Sequence, residues 1–259
     1  MITSYKNYTQ NPDLQMFTMH THNDYEIYCF LQGSAKYFVE GNIYNLKSGD
    51  ILIIKKAEAH TLLINKNIPY ERFVVNFTAD SLIGGSREII TDFLDSKPLG
   101  VNNRYSFANF KEKHWIYYLE KICETEDQNE KELYLTVLLN ELKNSYRLIT
   151  GDSPNYDSTQ EIIRYINRHL TDGITLESIS ERFYISKSQL QRRFKRTTGS
   201  TVWEYILTKR LLLAKELLQN GEHPTSCYLK CGFSDYCSFF RAYKAKFEVS
   251  PKVDFNCRK

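Results

Sequence analysis

Ser186-Lys187-Ser188-Gln189-Leu190-Gln191-Arg192-Arg193-Phe194-Lys195 and, 48 residues on, Ser234-Asp235-Tyr236-Cys237-Ser238-Phe239-Phe240-Arg241-Ala242-Tyr243-Lys244 decide how this chain of 259 residues is read. Leu190 with Phe194, and Phe239 with Tyr243, stand at i and i+4. Each stretch is therefore a helix with one side turned inward and the basic residues left on the others. A shorter apolar segment and a tight turn precede each one: Thr175-Leu176 to Ile179 before the first, and Cys227, Cys231 and Gly232-Phe233 before the second. Short helix, turn and second helix make a helix-turn-helix unit. Its recurrence at nearly constant spacing predicts two such units.

Local signals place the ends of these helices. Residues 157–170 form the first helix of the domain, with Ile162, Ile163 and Ile166 as its apolar stripe and Gly173 after it. Thr175 is an N-cap, with Glu177 favourable in the first turn. Ser186 with Gln189 three residues on reads as a capping box, and Gly199 closes that helix. Residues 202–219 form a long helix, with Tyr205, Ile206, Leu213, Ala214 and Leu217 available for burial, ended by Asn220-Gly221. Ser234 or Asp235 caps the second unit's last helix, and Pro251 opens a final short one.

The net charge of +3 hides an asymmetry. Residues 1–150 carry 16 Lys+Arg against 19 Asp+Glu, whereas residues 151–259 carry 18 against 12. The basic excess lies on the half with the repeated motif, as a phosphate-binding surface requires. No apolar run approaches a membrane span and no signal-peptide pattern opens the chain, so a cytoplasmic location is expected, without a membrane partner. The six cysteines then read as reduced thiols. Cys227 and Cys231, at i and i+4 on an apolar stripe, read as small buried side chains more readily than as metal or redox ligands.

From Met16 to about Phe77 the pattern is short strands broken by turn residues: 25–31, 36–39, 43–46 and 51–54, with Gly33, Gly41 and Gly49 between them. Such spacing predicts a small barrel or jelly roll. Two apolar stripes follow. One comprises Phe107, Phe110, His114, Trp115, Tyr118, Leu119 and Ile122; the other comprises Leu133, Val137, Leu138 and Leu142. Separated by a polar turn at 124–129, they predict a helical hairpin that covers the barrel or forms a dimer surface. Residues 150–157, rich in Gly, Ser, Pro and Asn, read as a linker.

His20, His22 and Glu26 share parity, so on one regular strand they would face the same way, and His60 follows later. Imidazole and carboxylate together suit a transition metal, but equally a polar pocket or an exposed strand edge. The expectation is a ligand pocket of His20, His22, Glu26, Tyr28 and His60, with no metal assigned. One rival reading is a catalytic metal centre on a chain with a nucleic-acid-binding tail, and another is a pocket that takes no diffusible ligand. No nucleophile constellation or phosphate-cradling glycine loop stands out, so no enzyme is expected.

The run Gly232-Phe233-Ser234-Asp235 through Arg241-Ala242-Tyr243-Lys244, Phe247 and Ser250-Pro251 resembles the second helix-turn-helix signature of the AraC/XylS transcription regulators. Leu176, Ile179, Ser186, Leu190, Phe194-Lys195 and Gly199, then Glu204-Tyr205, Arg210-Leu211, Ala214 and Leu217-Leu218, are similar to the first. His20, His22, Glu26, Gly33, Gly49-Asp50 and His60 resemble the cupin motifs, although Lys55, Ala57 and Ile64 depart from them. Ser180, Tyr184, Tyr228 and Glu248 depart from the helix-turn-helix pattern at places usually held by small residues.

The resemblance implies an α+β chain. A cupin-like β-barrel or jelly roll with a helical hairpin occupies residues 1–149, a linker 150–157, and an all-α domain 158–259 carries two helix-turn-helix units joined by a long helix. It implies a sequence-specific regulator, an activator acting with RNA polymerase as a homodimer on promoter DNA, controlled by a small effector such as a sugar. The residues expected at DNA are Ser188, Gln191, Arg192, Lys195 and Arg196 in the first unit and Tyr236, Ser238, Arg241 and Lys244 in the second. Gln191 and Arg192 have the chemistry to read adenine and guanine edges.

Overall fold

The structure, a computed structural model, describes residues 1–12, 19–97, 99–109, 114–145 and 158–256. The expected linker 150–157, Phe110 and the expected strand start at Met16 lie outside the described residues. The chain divides into two compact units, Met1–Tyr156 and Asp157–Lys259.

In the first unit, strands β1 (Thr3–Thr9), β2 (Tyr25–Gln32), β3 (Ala35–Val39), β4 (Asn42–Asn45), β5 (Ile51–Ile54), β6 (His60–Ile64), β7 (Tyr70–Phe77) and β8 (Arg104–Tyr105) form two sheets. One has the order β1-β7-β2-β5-β8 and the other β4-β3-β6. Of the two expected forms, barrel or jelly roll, the one found is the open two-sheet form. Among the described residues the strands make an open two-sheet sandwich, with β1 and β8 at the edges of the larger sheet. Helices α1 (Gly84–Asp95), α2 (Trp115–Glu124) and α3 (Gln128–Ser145) complete the unit.

Strand parity divides its core in two. Tyr25, Ile27 and Cys29 of β2, with Phe73, Val75 and Phe77 of β7, pack against Leu94 of α1, Leu119 and Ile122 of α2, and Leu135, Leu138, Leu139 and Leu142 of α3. Tyr28 and Phe30, the intervening residues of β2, turn to Tyr37, Val39 and Leu62 on the smaller sheet. The larger sheet is thus covered on both faces, so β2 is buried without alternation from Tyr25 to Phe30. Glu26 has the parity of Tyr28 and lies inside the sandwich.

The helical hairpin exists, but its phase is corrected. Helix α2 begins at Trp115, and Phe107 belongs to a separate single turn. In α3 the buried set is Leu135, Leu138, Leu139 and Leu142, whereas Leu133 and Val137 are exposed. Gly49 has φ +84°, and a Cβ there would stand 2.5 Å from the Phe107 ring, so the β4–β5 turn and this segment meet only because residue 49 is glycine. Ala57 adopts φ 62° at a place where the cupin pattern has glycine, keeping the turn that precedes β6.

The second unit is all helical: α4 (Ser158–Arg168), α5 (Leu176–Arg182), α6 (Lys187–Thr198), α7 (Val202–Gln219), α8 (Pro224–Lys230), α9 (Tyr236–Phe247) and α10 (Pro251–Asn256). Thr175 caps α5 and Ser186 caps α6 in a reciprocal box with Gln189. Asp235 caps α9 by accepting the Ser238 N–H at 2.7 Å. Helix α7 buries Val202, Tyr205, Ile206, Leu211, Leu212, Ala214 and Leu218. The expected Leu213 and Leu217 are instead packed at the margin of the core. Arg210, midway along α7, donates from Nε to the Leu170 carbonyl at 2.8 Å. Its guanidinium also lies against Gly232 in the turn of the second unit, so one buried side chain links both halves of the domain.

The departures from the family pattern are accommodated. Tyr228 stacks on Phe239 at 6.5 Å between centroids and meets the Tyr236 ring edge-on. Glu248 ends α9 with φ 61°. That left-handed position favours glycine by about 1–2 kcal/mol over a residue with a Cβ. Glu248→Gly is therefore expected to raise stability by about 0.5–1 kcal/mol once the added chain entropy is subtracted. Thermal denaturation checks it, and a lower melting temperature for the variant would refute it.

Candidate functional site

Two surfaces have chemistry that the packing does not consume. The first is on α6 and α9. Burial of Leu190 and Phe194 fixes α6 by one side. Ser188, Arg192, Lys195 and Arg196 are then exposed, and the first three stand at i, i+4 and i+7 along one face. Gln191 is half-buried, and its Oε1 accepts the Val202 N–H at 3.4 Å, which ties it to the start of α7. Lys187, adjacent to the set, pairs with Glu177.

On α9, burial of Phe239 and Tyr243 leaves Ser238, Arg241 and Lys244 exposed. Arg241 donates from Nε to the Cys237 carbonyl at 3.4 Å. Tyr236 is half-buried, its ring against Tyr228, Phe239 and Phe240. Each helix therefore carries a hydroxyl and two or three cations outward from a capped first turn. Cys227 and Cys231 are fully buried, their Sγ atoms 3.9 Å apart, beneath α9.

The second surface is inside the sandwich. A cavity of about 150 Å³ is lined by Tyr5, His20, Glu26, Tyr28, Tyr37, Thr61, Leu62, Arg72 and Val74. A cavity of that size holds a six-membered ring. The Tyr28 and Tyr70 hydroxyls share a hydrogen bond at 2.5 Å, and the Arg72 guanidinium lies 5.1 Å from the Tyr70 ring and 5.7 Å from Tyr5. Tyr5, Tyr37, Thr61 and Arg72 were not marked by sequence. For Arg72 a signal existed: it is a charge in the strand Tyr-Glu-Arg-Phe-Val-Val at the parity of Tyr70 and Val74, which face inward.

At one end of this cavity His20, His22, Glu26 and His60 come together, one ligating atom from each lying within 4.8 Å of the others. The sequence expectation of convergence holds, but its reason is corrected. His20 and His22 precede β2 and are not on a continuous strand; His20 is brought in by an isolated bridge to His60. Tyr37 Oη donates to Glu26 Oε1 at 3.0 Å, and His22 Nε2 lies 3.2 Å from Glu26 Oε2. Burial pushes the Glu26 carboxyl up, but the His22 contact, the neighbouring imidazoles and Tyr37 outweigh it and hold it down to about 2. Burial holds the His60 imidazole down to about 4. Burial pulls His22 down as well, yet Glu26 and the Asp24 carbonyl leave it raised.

A polar, ring-sized cavity in a β-sandwich, joined in one chain to two capped basic reading helices, defines an effector-controlled DNA-binding regulator. The family comparisons agree. The model of the AraC-like ligand binding domain matches residues 8–112, and that of a helix-turn-helix domain matches residues 179–255. The chain belongs to the AraC family of transcription regulators. It is 24% identical over 256 residues to the transcriptional activator RhaS of Escherichia fergusonii, covering 91% of this chain and 86% of RhaS. It is 27% identical over 230 residues to the regulator YbfI of Bacillus subtilis, covering 86% and 81%. Among solved structures it is similar to ToxT of Vibrio cholerae, at 15% identity, 98% coverage of each chain and a TM-score of 0.40. No helix among the described residues is long and apolar enough to cross a membrane.

Proposed function

We propose that a small polar molecule in the sandwich cavity changes how α6 and α9 engage promoter DNA, and that the chain performs no catalysis. The observation that carries this reading is the pair of capped helices in one compact unit, each turning hydroxyl and cationic side chains to solvent. Arg192 and Arg241 are assigned to base edges, with Ser188 and Ser238 beside them; Lys195, Arg196 and Lys244 are assigned to phosphates. Gln191 and Tyr236 contribute at the margin, since both are partly engaged within the fold.

Glu26, Tyr28 and the histidines His20, His22 and His60 are assigned to the effector. A cavity lined by carboxylate, hydroxyl and guanidinium groups suits a polyhydroxylated ring such as a sugar. The likeness to RhaS, an activator by name, favours activation through RNA polymerase, and the family favours a cytoplasmic homodimer. Residues 150–157 are assigned as the linker between an effector domain, 1–149, and the DNA-binding domain, 158–259. Control requires that the effector bind two arrangements of these domains unequally.

The test is selection of duplexes from a random pool by the full chain, followed by footprinting with and without a panel of sugars. Two protected major-groove segments about 34–36 Å apart are expected. A sugar that fits should stabilise the protein by about 2.7 kcal/mol at a hundred times its dissociation constant. Recovery of no preferred sequence would end the reading of α6 and α9.

A further inference from the structure

We propose that His20, His22, Glu26 and His60 bind a divalent first-row transition metal ion at the end of the sandwich cavity. The inference goes beyond the effector reading and holds whether or not the cavity also takes a diffusible molecule.

Three observations carry it. First, the four donors, three imidazoles and a carboxylate, lie within 4.8 Å of one another. Metal–ligand bonds of about 2.0–2.1 Å place opposite donors of an octahedron about 4.2 Å apart, so side-chain adjustments of under an ångström close the set. Donors of this mixed nitrogen and oxygen kind select zinc, iron, cobalt, nickel, copper or manganese over calcium and magnesium.

Second, two of the three histidines, His22 and His60, are already oriented with Nε2 toward the cluster. His22 Nδ1 and His60 Nδ1 each lie 2.8 Å from a backbone carbonyl, of Asp24 and Glu58 respectively. A carbonyl oxygen only accepts, so each Nδ1 carries a proton, and Nε2 is the nitrogen turned to the cluster, with a lone pair for a metal whenever the ring is neutral. Fixing the ring through its other nitrogen is the usual outer support of a metal-bound histidine. The Glu58 backbone is itself anchored. Its carboxylate accepts the N–H groups of Lys55 and Gly100 and the Asn103 amide, each at 2.7 Å.

Third, His60 is fully buried and its Nε2 has no hydrogen-bond partner. A buried polar nitrogen left unpaired costs about 1–3 kcal/mol. An extra proton on His22 would satisfy the 3.2 Å contact to Glu26 but would leave His60 Nε2 as it is. A cation between the four donors satisfies both.

The experiment uses the full chain, stripped with a chelator, dialysed and titrated separately with Zn²⁺, Co²⁺, Ni²⁺ and Fe²⁺ alone. A single bound ion per chain by elemental analysis is expected with at least one of them, together with a rise in melting temperature. The cobalt form should show visible ligand-field bands without thiolate charge transfer. His20→Gln and Glu26→Gln should each weaken binding by more than about tenfold. His20 is exposed, so its variant tests the site without emptying the core. Cys227→Ser, which removes the only close thiol pair among the described residues, should bind as the parent does. Failure of all four ions to bind overturns the proposal, as does undiminished binding by both site variants. DNA selection and sugar-dependent melting of the stripped protein read the effector hypothesis separately.

Discussion

Replacing Phe194 by alanine is expected to cost the DNA-binding unit about 3–5 kcal/mol, enough to unfold a domain of ordinary stability. Phe194 is fully buried and meets the Tyr205 ring edge-on, with centroids 5.6 Å apart. Tyr205 in turn donates its hydroxyl to Asn167 Oδ1 at 2.9 Å. One aromatic contact therefore holds α6 against α7, and the same tyrosine holds α7 against α4. Deleting the phenyl ring removes the apolar surface it covers and leaves a cavity at the junction of three helices, and both effects act in the same direction. Urea unfolding of the full chain, followed by hydrogen exchange at α6 and α7 amides, measures the loss. A change below about 1 kcal/mol would mean that α6 is not seated through this side chain.

The C-terminal unit was legible because its signals are local. Capping residues, glycine stops and i, i+4 apolar pairs all act within one or two turns, and α7 was placed at the bounds the structure gives, Val202–Gln219. The departures were also readable, but not their resolution. Tyr228 looked too large for its place, and only the surrounding rings of Tyr236 and Phe239 show how it is taken up.

The N-terminal unit was less legible because its organisation is nonlocal. Strand β1 has few apolar residues and exists by pairing along β7 from Thr3 opposite Asn76 to Thr9 opposite Tyr70. Nothing within seven residues announces that partner. Helix α3 exposes Leu133 and Val137 while burying Leu135 and Leu139, so apolar residues occur on both sides, and periodicity alone placed Leu138 and Leu142 rightly but took Leu133 and Val137 for Leu135 and Leu139. The histidine cluster shows a different limit. Strand parity led to residues that do converge, but by a wrong route, since the chain before β2 is irregular and His20 arrives through its bridge to His60. Residue types marked the chemistry, whereas Tyr37 joined it from a strand whose register no short pattern reveals.

Arg192→Ala is expected to lower affinity for the selected operator by about 1–3 kcal/mol, roughly 5- to 150-fold, with a much smaller loss on random duplex. Arg192 is exposed at the centre of α6, a turn beyond Ser188, while Leu190 and Phe194 hold the opposite side of the helix in the core. A guanidinium presented this way can grip two acceptors on one guanine edge, a bidentate geometry that lysine cannot copy. Arg192→Lys should therefore retain most nonspecific affinity and lose most discrimination. Lys195→Ala should instead weaken binding to all sequences alike and reduce the salt dependence by about one phosphate contact. Gln191→Ala separates reading from folding. Its amide oxygen accepts the Val202 N–H, so part of its effect should appear as lost stability at the α6–α7 corner even without DNA. Competition binding with operator and scrambled duplexes across a salt series distinguishes these variants. Equal losses on both duplexes for Arg192→Ala would move that residue to the phosphate backbone and leave base readout to α9.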